Sequence, residues 1–219
     1  MFPNGHKLML DRAVEALGHP ALRAHYDALL LGCLREDFWN LGGWIVRGKG
    51  LTHFAGATGG WGLFVGAPGA PRRADWLFER AVREHRAGRA RDGFFWLGRA
   101  AHLVGEMAAP VHATRSIHWR GDGFESYLEA HAAELRALPV AELPSGRSAA
   151  QLAGELAARA RAFPADRTRN VAGFLAWKMG RLRRPSADEV LAQVRALVPL
   201  GAAYLAALCR AFLSEVGER

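Results

Sequence analysis

The chain is poor in the devices that would place it in several common classes. It has two cysteines, Cys33 and Cys209. That number excludes a disulfide framework, and their spacing excludes a CxxC zinc motif. Both lie in apolar helical patterns, so buried thiols are expected, with a single bridge left open. Runs rich in Val, Ile and Thr are scarce, which argues against a sheet protein. No Ser-nucleophile motif and no P-loop occurs. MFPNGHKLML lacks the basic start and apolar core of a signal peptide. The most apolar stretch, Ala196 to Cys209, reads as too short for a bilayer and contains Pro199 and Gly201. A soluble chain is the expectation.

What is present points to helices. Half of the 219 residues are hydrophobic, which excludes disorder and allows one substantial core, so residues 1–219 read as a single domain. Ala, Leu, Arg and Glu dominate the second half. The periodicity predicts one or two helices over 7–32, interrupted at Gly18-His19-Pro20, and further helices over 73–87, 90–108 and 123–138. Others are predicted over 148–162, 167–181 and 187–216, the last opened by Ser186 with Glu189 three residues on. A Pro/Ser/Gly linker covers 138–146. Residues 38–71 differ. Ten glycines fall between Gly42 and Gly69, interleaved with Trp39, Trp44, Phe54, Trp61 and Phe64. This reads as a long loop, of a length usually tied to function or mobility.

The formal net charge is +8. A basic surface suits nucleic acid, anionic lipid or phosphate esters. The arginines are scattered, so solubility alone explains them equally well.

The chemistry concentrates between Phe94 and His131, FFWLGRAAHLVGEMAAPVHATRSIHWRGDGFESYLEAH. His102 and Glu106 are four apart and share one helix face, where both can grip one ion. Such a pair alone is usually a surface contact. Here Ala101, Leu103, Val104 and Met107 surround it, so at least one of the pair faces the interior, as a metal site or as a satisfied polar contact. Pro110 ends the helix and lets His112 turn back. His118 follows in a loop and Glu125 opens the next helix. Imidazole and carboxylate are ordinary zinc ligands. His19, His25, His85 and His131 have no place in this pattern and read as surface residues.

With these residues in order, the segment resembles the zinc-dependent phospholipase C family and the related single-strand-specific zinc nucleases. Their pattern is His-x3-Asp-x5-His, then a loop His and a Glu after Phe or Tyr. Here it falls on His102, Glu106 and His112, then His118 and Phe124-Glu125, with Glu106 where the family has Asp. His118 and Glu125 are seven apart rather than four, which leaves Glu129 as an alternative to Glu125. Upstream, Leu51-Thr52-His53-Phe54 is similar to the family's Ser-His-Phe ligand segment. Glu36-Asp37-Phe38-Trp39-Asn40 is similar to the segment carrying its active-site Asp, and Asn4-Gly5-His6 to its N-terminal His ligand.

The resemblance implies an all-α, multi-helix bundle of the phospholipase C and zinc nuclease type. It implies two or three zinc ions. His53, His102 and Glu106 would hold one, and His112, His118 and Glu125 a second. Glu106 would bridge to a third, held by His6 and the amine of Met1. Asp37 would be the catalytic residue, orienting or deprotonating the attacking water. The implied reaction is hydrolysis of a phosphodiester, foremost a phospholipid headgroup with contact at a membrane surface. A nuclease and a non-catalytic metal-binding helical protein are the alternatives. Family members are mostly secreted, which implies a secreted or periplasmic site.

Overall fold

Ser186 opens a helix in the way the sequence predicts, and Ser148 opens another. The Ser186 hydroxyl accepts the Glu189 N–H at 3.2 Å, and the Glu189 carboxylate accepts the Ser186 N–H at 2.8 Å. Ser148 and Gln151 repeat the exchange. Each reciprocal pair satisfies two amide donors that a helix start would leave exposed. A computed structural model of the chain describes residues 3–38, 53, 69–114, 122–145, 148–169 and 171–218. Met1, His118 and the expected glycine-rich loop, apart from Phe38, His53 and residues 69–71, lie outside the described residues. Asp37 falls in the last turn of a helix, but its side chain lies outside them too.

Among the described residues all regular structure is helical. The order is α1 (Pro3–Leu17), α2 (Pro20–Ala24), α3 (Tyr26–Phe38), α4 (Ala70–Arg86), α5 (Ala90–Glu106), α6 (Pro110–Ala113) and α7 (Gly123–Leu135). Then come α8 (Ala149–Ala160), a 3-10 turn at Arg167–Arg169, α9 (Val171–Lys178) and α10 (Ala187–Val216). The segment expected as one or two helices over 7–32 is three. Gly18 takes φ +60° after α1. The His19 side chain then caps α2 by accepting the Ala21 N–H, and non-helical His25 adds a second break. The helix expected to reach 138 ends at Leu135, where i→i−3 bonds from Ala137 and Leu138 tighten the exit. The helix expected over 167–181 splits into the 3-10 turn and α9.

The apolar stretch judged too short for a bilayer is part of α10, a 30-residue helix long and apolar enough to cross one by length and composition. In this fold it is the central element, with 72% of its most apolar window buried. It packs against α1, α4, α5, α7 and α8, while α3 and α4 flank α5. Met9, Leu10, Phe94, Leu97, Leu103, Met107, Phe124, Leu208 and Phe212 are fully or almost fully buried between them. Each such side chain contributes roughly 1.5–3 kcal/mol on leaving water.

The histidines expected at the surface are packed instead. His25 stacks on Phe94 at 4.6 Å, and His85 meets Phe94 and Phe212 edge-on. His131 stacks on Tyr127 at 4.0 Å, where α7 kinks. Cys33 and Cys209 are buried thiols, and burial together with the neighbouring Cys33 pushes Cys209 up to about 12.

Candidate metal centre

Two glycines decide where α3 and α5 cross. A Cβ on Gly98 would lie 2.0 Å from the Leu29 carbonyl oxygen, and one on Gly32 would lie 1.9 Å from that of Phe95. The backbones therefore touch. At that contact the Cys33 carbonyl oxygen reaches His102 Nδ1 at 2.8 Å. A carbonyl only accepts, so Nδ1 carries the hydrogen, and Nε2 is the atom turned toward Glu106 Oε1, 3.4 Å away.

The same arrangement recurs one helix on. After α5, three buried residues, Met107 to Ala109, form tight turns, and Pro110 starts α6. This short helix carries His112 back over the end of α5. His112 Nδ1 donates to the His53 carbonyl oxygen at 3.1 Å, which turns Nε2 toward Glu106 Oε1 at 3.7 Å and Glu125 Oε1 at 3.1 Å. His53 Nδ1 lies 3.0 Å from Glu106 Oε2. His6, from α1, stacks on His102 with ring centroids 4.0 Å apart. The structure thus gathers His6, His53, His102, Glu106, His112 and Glu125, every one buried.

Of the two acidic alternatives on α7, Glu125 faces His112. Glu129 is turned to α1, where Oε2 accepts the Asn4 N–H at 2.9 Å. Glu125 is held by Asp122, the cap of α7, which accepts the Glu125 N–H at 2.8 Å. Burial and the Glu125 carboxylate push Asp122 up to about 7. Sequence reasoning passed over Asp122, although Asp-x-x-Glu before a helix is a readable cap. It also passed over Glu36. This buried carboxylate pairs with Arg99 at 2.5 Å and anchors the end of α3 that carries Asp37.

The electrostatics calls for a cation. Burial alone would raise the Glu106 carboxyl, but His112, His53 and His102 outweigh it and hold the group well below its ordinary value. Burial would lower His112, and Glu106 and Glu125 reverse that. A neutral imidazole whose Nδ1 donates to a carbonyl presents a lone pair at Nε2. Facing a carboxylate, that lone pair needs a proton or a metal ion between the two acceptors. The donor set suits a metal. Ligand atoms on one tetrahedral zinc sit about 3.4 Å apart, given bonds of about 2.1 Å. Here the ligand atoms of His53, His102 and Glu106 all lie within 4.8 Å of one another, as do those of His6, Cys33 and His102.

Fold and site together define a class: an all-α bundle with a buried His/Glu cluster fit to hold metal. No family model matches the sequence, and no curated protein matches it significantly. Among solved structures the fold is similar to alpha toxin from Clostridium absonum. The TM-score is 0.68 at 16% identity, over 98% of this chain and 66% of that one. It is also similar to the Clostridium perfringens alpha-toxin of an avian strain, with TM-score 0.65 at 16% identity, over 97% of this chain and 63% of that one. The chain therefore has the all-α phospholipase C fold that the sequence resemblance implies, and spans just under two thirds of the length of those toxins.

Proposed function

We propose that the chain is a zinc-dependent phosphodiester hydrolase acting foremost on phospholipid headgroups. One observation carries the reading. His102 and His112 each commit Nδ1–H to a backbone carbonyl and aim Nε2 at the same buried Glu106. Metal-binding histidines are oriented in this way, the second nitrogen fixing tautomer and ring.

His53, His102 and Glu106 would hold one ion, and His112, Glu125 and His118 a second. His6, the Met1 amine and Glu106 would hold a third. Bound zinc supplies positive charge to the phosphoryl oxygens and the leaving alkoxide, and acidifies water toward neutral pH. The protein's part is to place these ligands and keep Glu106 ionised among imidazoles. Asp37 would orient or deprotonate the attacking water. The Glu36–Arg99 pair fixes the turn from which it acts. The shared fold with clostridial toxins favours lipid over nucleic acid and a secreted or periplasmic setting.

The test is elemental analysis of protein purified without chelator, with turnover of phosphatidylcholine, single-stranded DNA and bis-p-nitrophenyl phosphate measured before and after chelation. Zinc in the protein and chelator-sensitive lipid turnover are expected. Turnover of DNA alone makes it a nuclease. Protein with no transition metal, or metal without hydrolysis of any of the three, overturns the reading.

A further inference from the structure

The segment after the 3-10 turn has no role in the cluster, and its composition is lopsided. Residues 167–184, RTRNVAGFLAWKMGRLRR, hold six basic residues and no acidic one. Phe174, Leu175 and Met179 are 44%, 53% and 59% exposed, three of the five large hydrophobic side chains exposed among the described residues. A protein that only needed solubility would bury or replace them. α9 ends in a turn that requires glycine. Gly180 takes φ +72°, and the Arg181 N–H bonds back to the Ala176 carbonyl. The turn leads the chain into Arg181, Arg183 and Arg184 beside the apolar residues.

Cations and rings are layered there. Lys178 Nζ lies 5.1 Å from the Trp177 ring centre and 5.7 Å from that of Phe174, and the Arg184 guanidinium lies 4.2 Å from Trp177. Arg183 is paired with Glu189, while Lys178, Arg181 and Arg184 remain exposed. The segment is also held to the turn before it. Arg184 Nε donates to the Thr168 hydroxyl at 3.1 Å, and Thr168 donates to Asp166 at 2.5 Å.

We infer that α9 and the basic turn after it form a docking surface for anionic phospholipid bilayers, with Phe174, Leu175 and Met179 entering the headgroup–acyl boundary and Lys178 and Arg181 meeting lipid phosphates. Aliphatic side chains decide against nucleic acid, because Leu and Met offer bases no stacking face. The basic rim is complementary to an anionic leaflet, and indoles and long cationic side chains are favoured where apolar and wet regions meet. The choice of lipid rests on the phospholipid reading above. The surface itself is read by binding, apart from catalysis.

The experiment is co-sedimentation of the intact protein with vesicles of phosphatidylcholine, with and without phosphatidylglycerol. Binding is expected to rise with phosphatidylglycerol and fall with salt. The variant Phe174→Ser/Leu175→Ser/Met179→Ser is expected to bind about tenfold more weakly or worse. Lys178→Gln/Arg181→Gln is expected to lose most of the dependence on phosphatidylglycerol. Both should keep the circular dichroism and the bis-p-nitrophenyl phosphate turnover of the parent. Hydrogen exchange of the parent, slowed over 171–184 by vesicles, checks the same surface without substitution. Undiminished binding by the triple variant, no vesicle binding by the parent, or a parent dimer that the triple variant dissociates would each overturn the inference. Vesicle binding through α9 in a protein that hydrolyses nothing would uphold the surface and remove the proposed activity.

Discussion

Glu106 is the residue on which the site turns. Its two oxygens face His53, His102 and His112 within 3.7 Å, and it is essentially fully buried. A buried carboxylate without compensating charge would protonate, so the three imidazoles and the ion they would share explain why it stays ionised. Glu106→Gln keeps the shape and removes the charge. It should lose metal on dialysis and lower metal-dependent turnover by about 100-fold or more, above the 10–100-fold typical of residues that only support a ligand. Glu106→Asp keeps the charge and should retain most of the metal. Elemental analysis of both decides it, and full metal in the Gln variant would remove Glu106 from the site. Much at this scale was legible in the sequence. His102 and Glu106 are four apart, and Pro110 forces the exit that returns His112. The Cys33 contribution was hidden, because a backbone carbonyl has no residue-type signature. The packing of His25 and His85 was hidden too, since both depend on Phe94 and Phe212 from other helices.

Helices α3 and α5 show what sequence can and cannot say about an element. The apolar periodicity places α5 but runs α3 into the segment over 7–32, and the Ser186 cap marks the start of α10 to the residue. Gly98, read within its own helix, is only a weak helix former. Its reason lies across the contact, where a side chain would run into the Leu29 carbonyl. That contact also sets the distance from the Cys33 carbonyl to His102. Gly98→Ala should therefore act twice. Taken alone, better helix propensity would stabilise the variant by somewhat under about 1 kcal/mol. The overlap forces α3 and α5 apart and should cost about 1–3 kcal/mol, so destabilisation wins. The loss should appear in urea unfolding, with weakened zinc binding alongside. A variant that is more stable than the parent, with zinc affinity intact, would show that the helices part without cost.

Across the whole molecule, the cluster adds a polar link between helices that the hydrophobic core already packs together. The apolar centre runs along α10 and needs no metal. The ligands come from α1, α5, α6, α7 and His53, so ions held among them would together link segments up to 119 positions apart in the chain, from His6 to Glu125. Such a set does not exist in the unfolded chain, and binding free energy therefore becomes stability. At zinc a hundredfold above its dissociation constant the gain is about 2.7 kcal/mol. For a chain of this size each kcal/mol moves Tm by about 2–4 °C. Chelation should thus lower Tm by roughly 5–11 °C. The helical circular dichroism at 20 °C should stay nearly unchanged, because α10 and its neighbours remain packed. Zinc added back should restore Tm in a concentration-dependent way, and His102→Ala should abolish the response. Identical melting with and without chelator, in protein shown to have held zinc, would mean that the ion sits on a finished fold and clasps nothing.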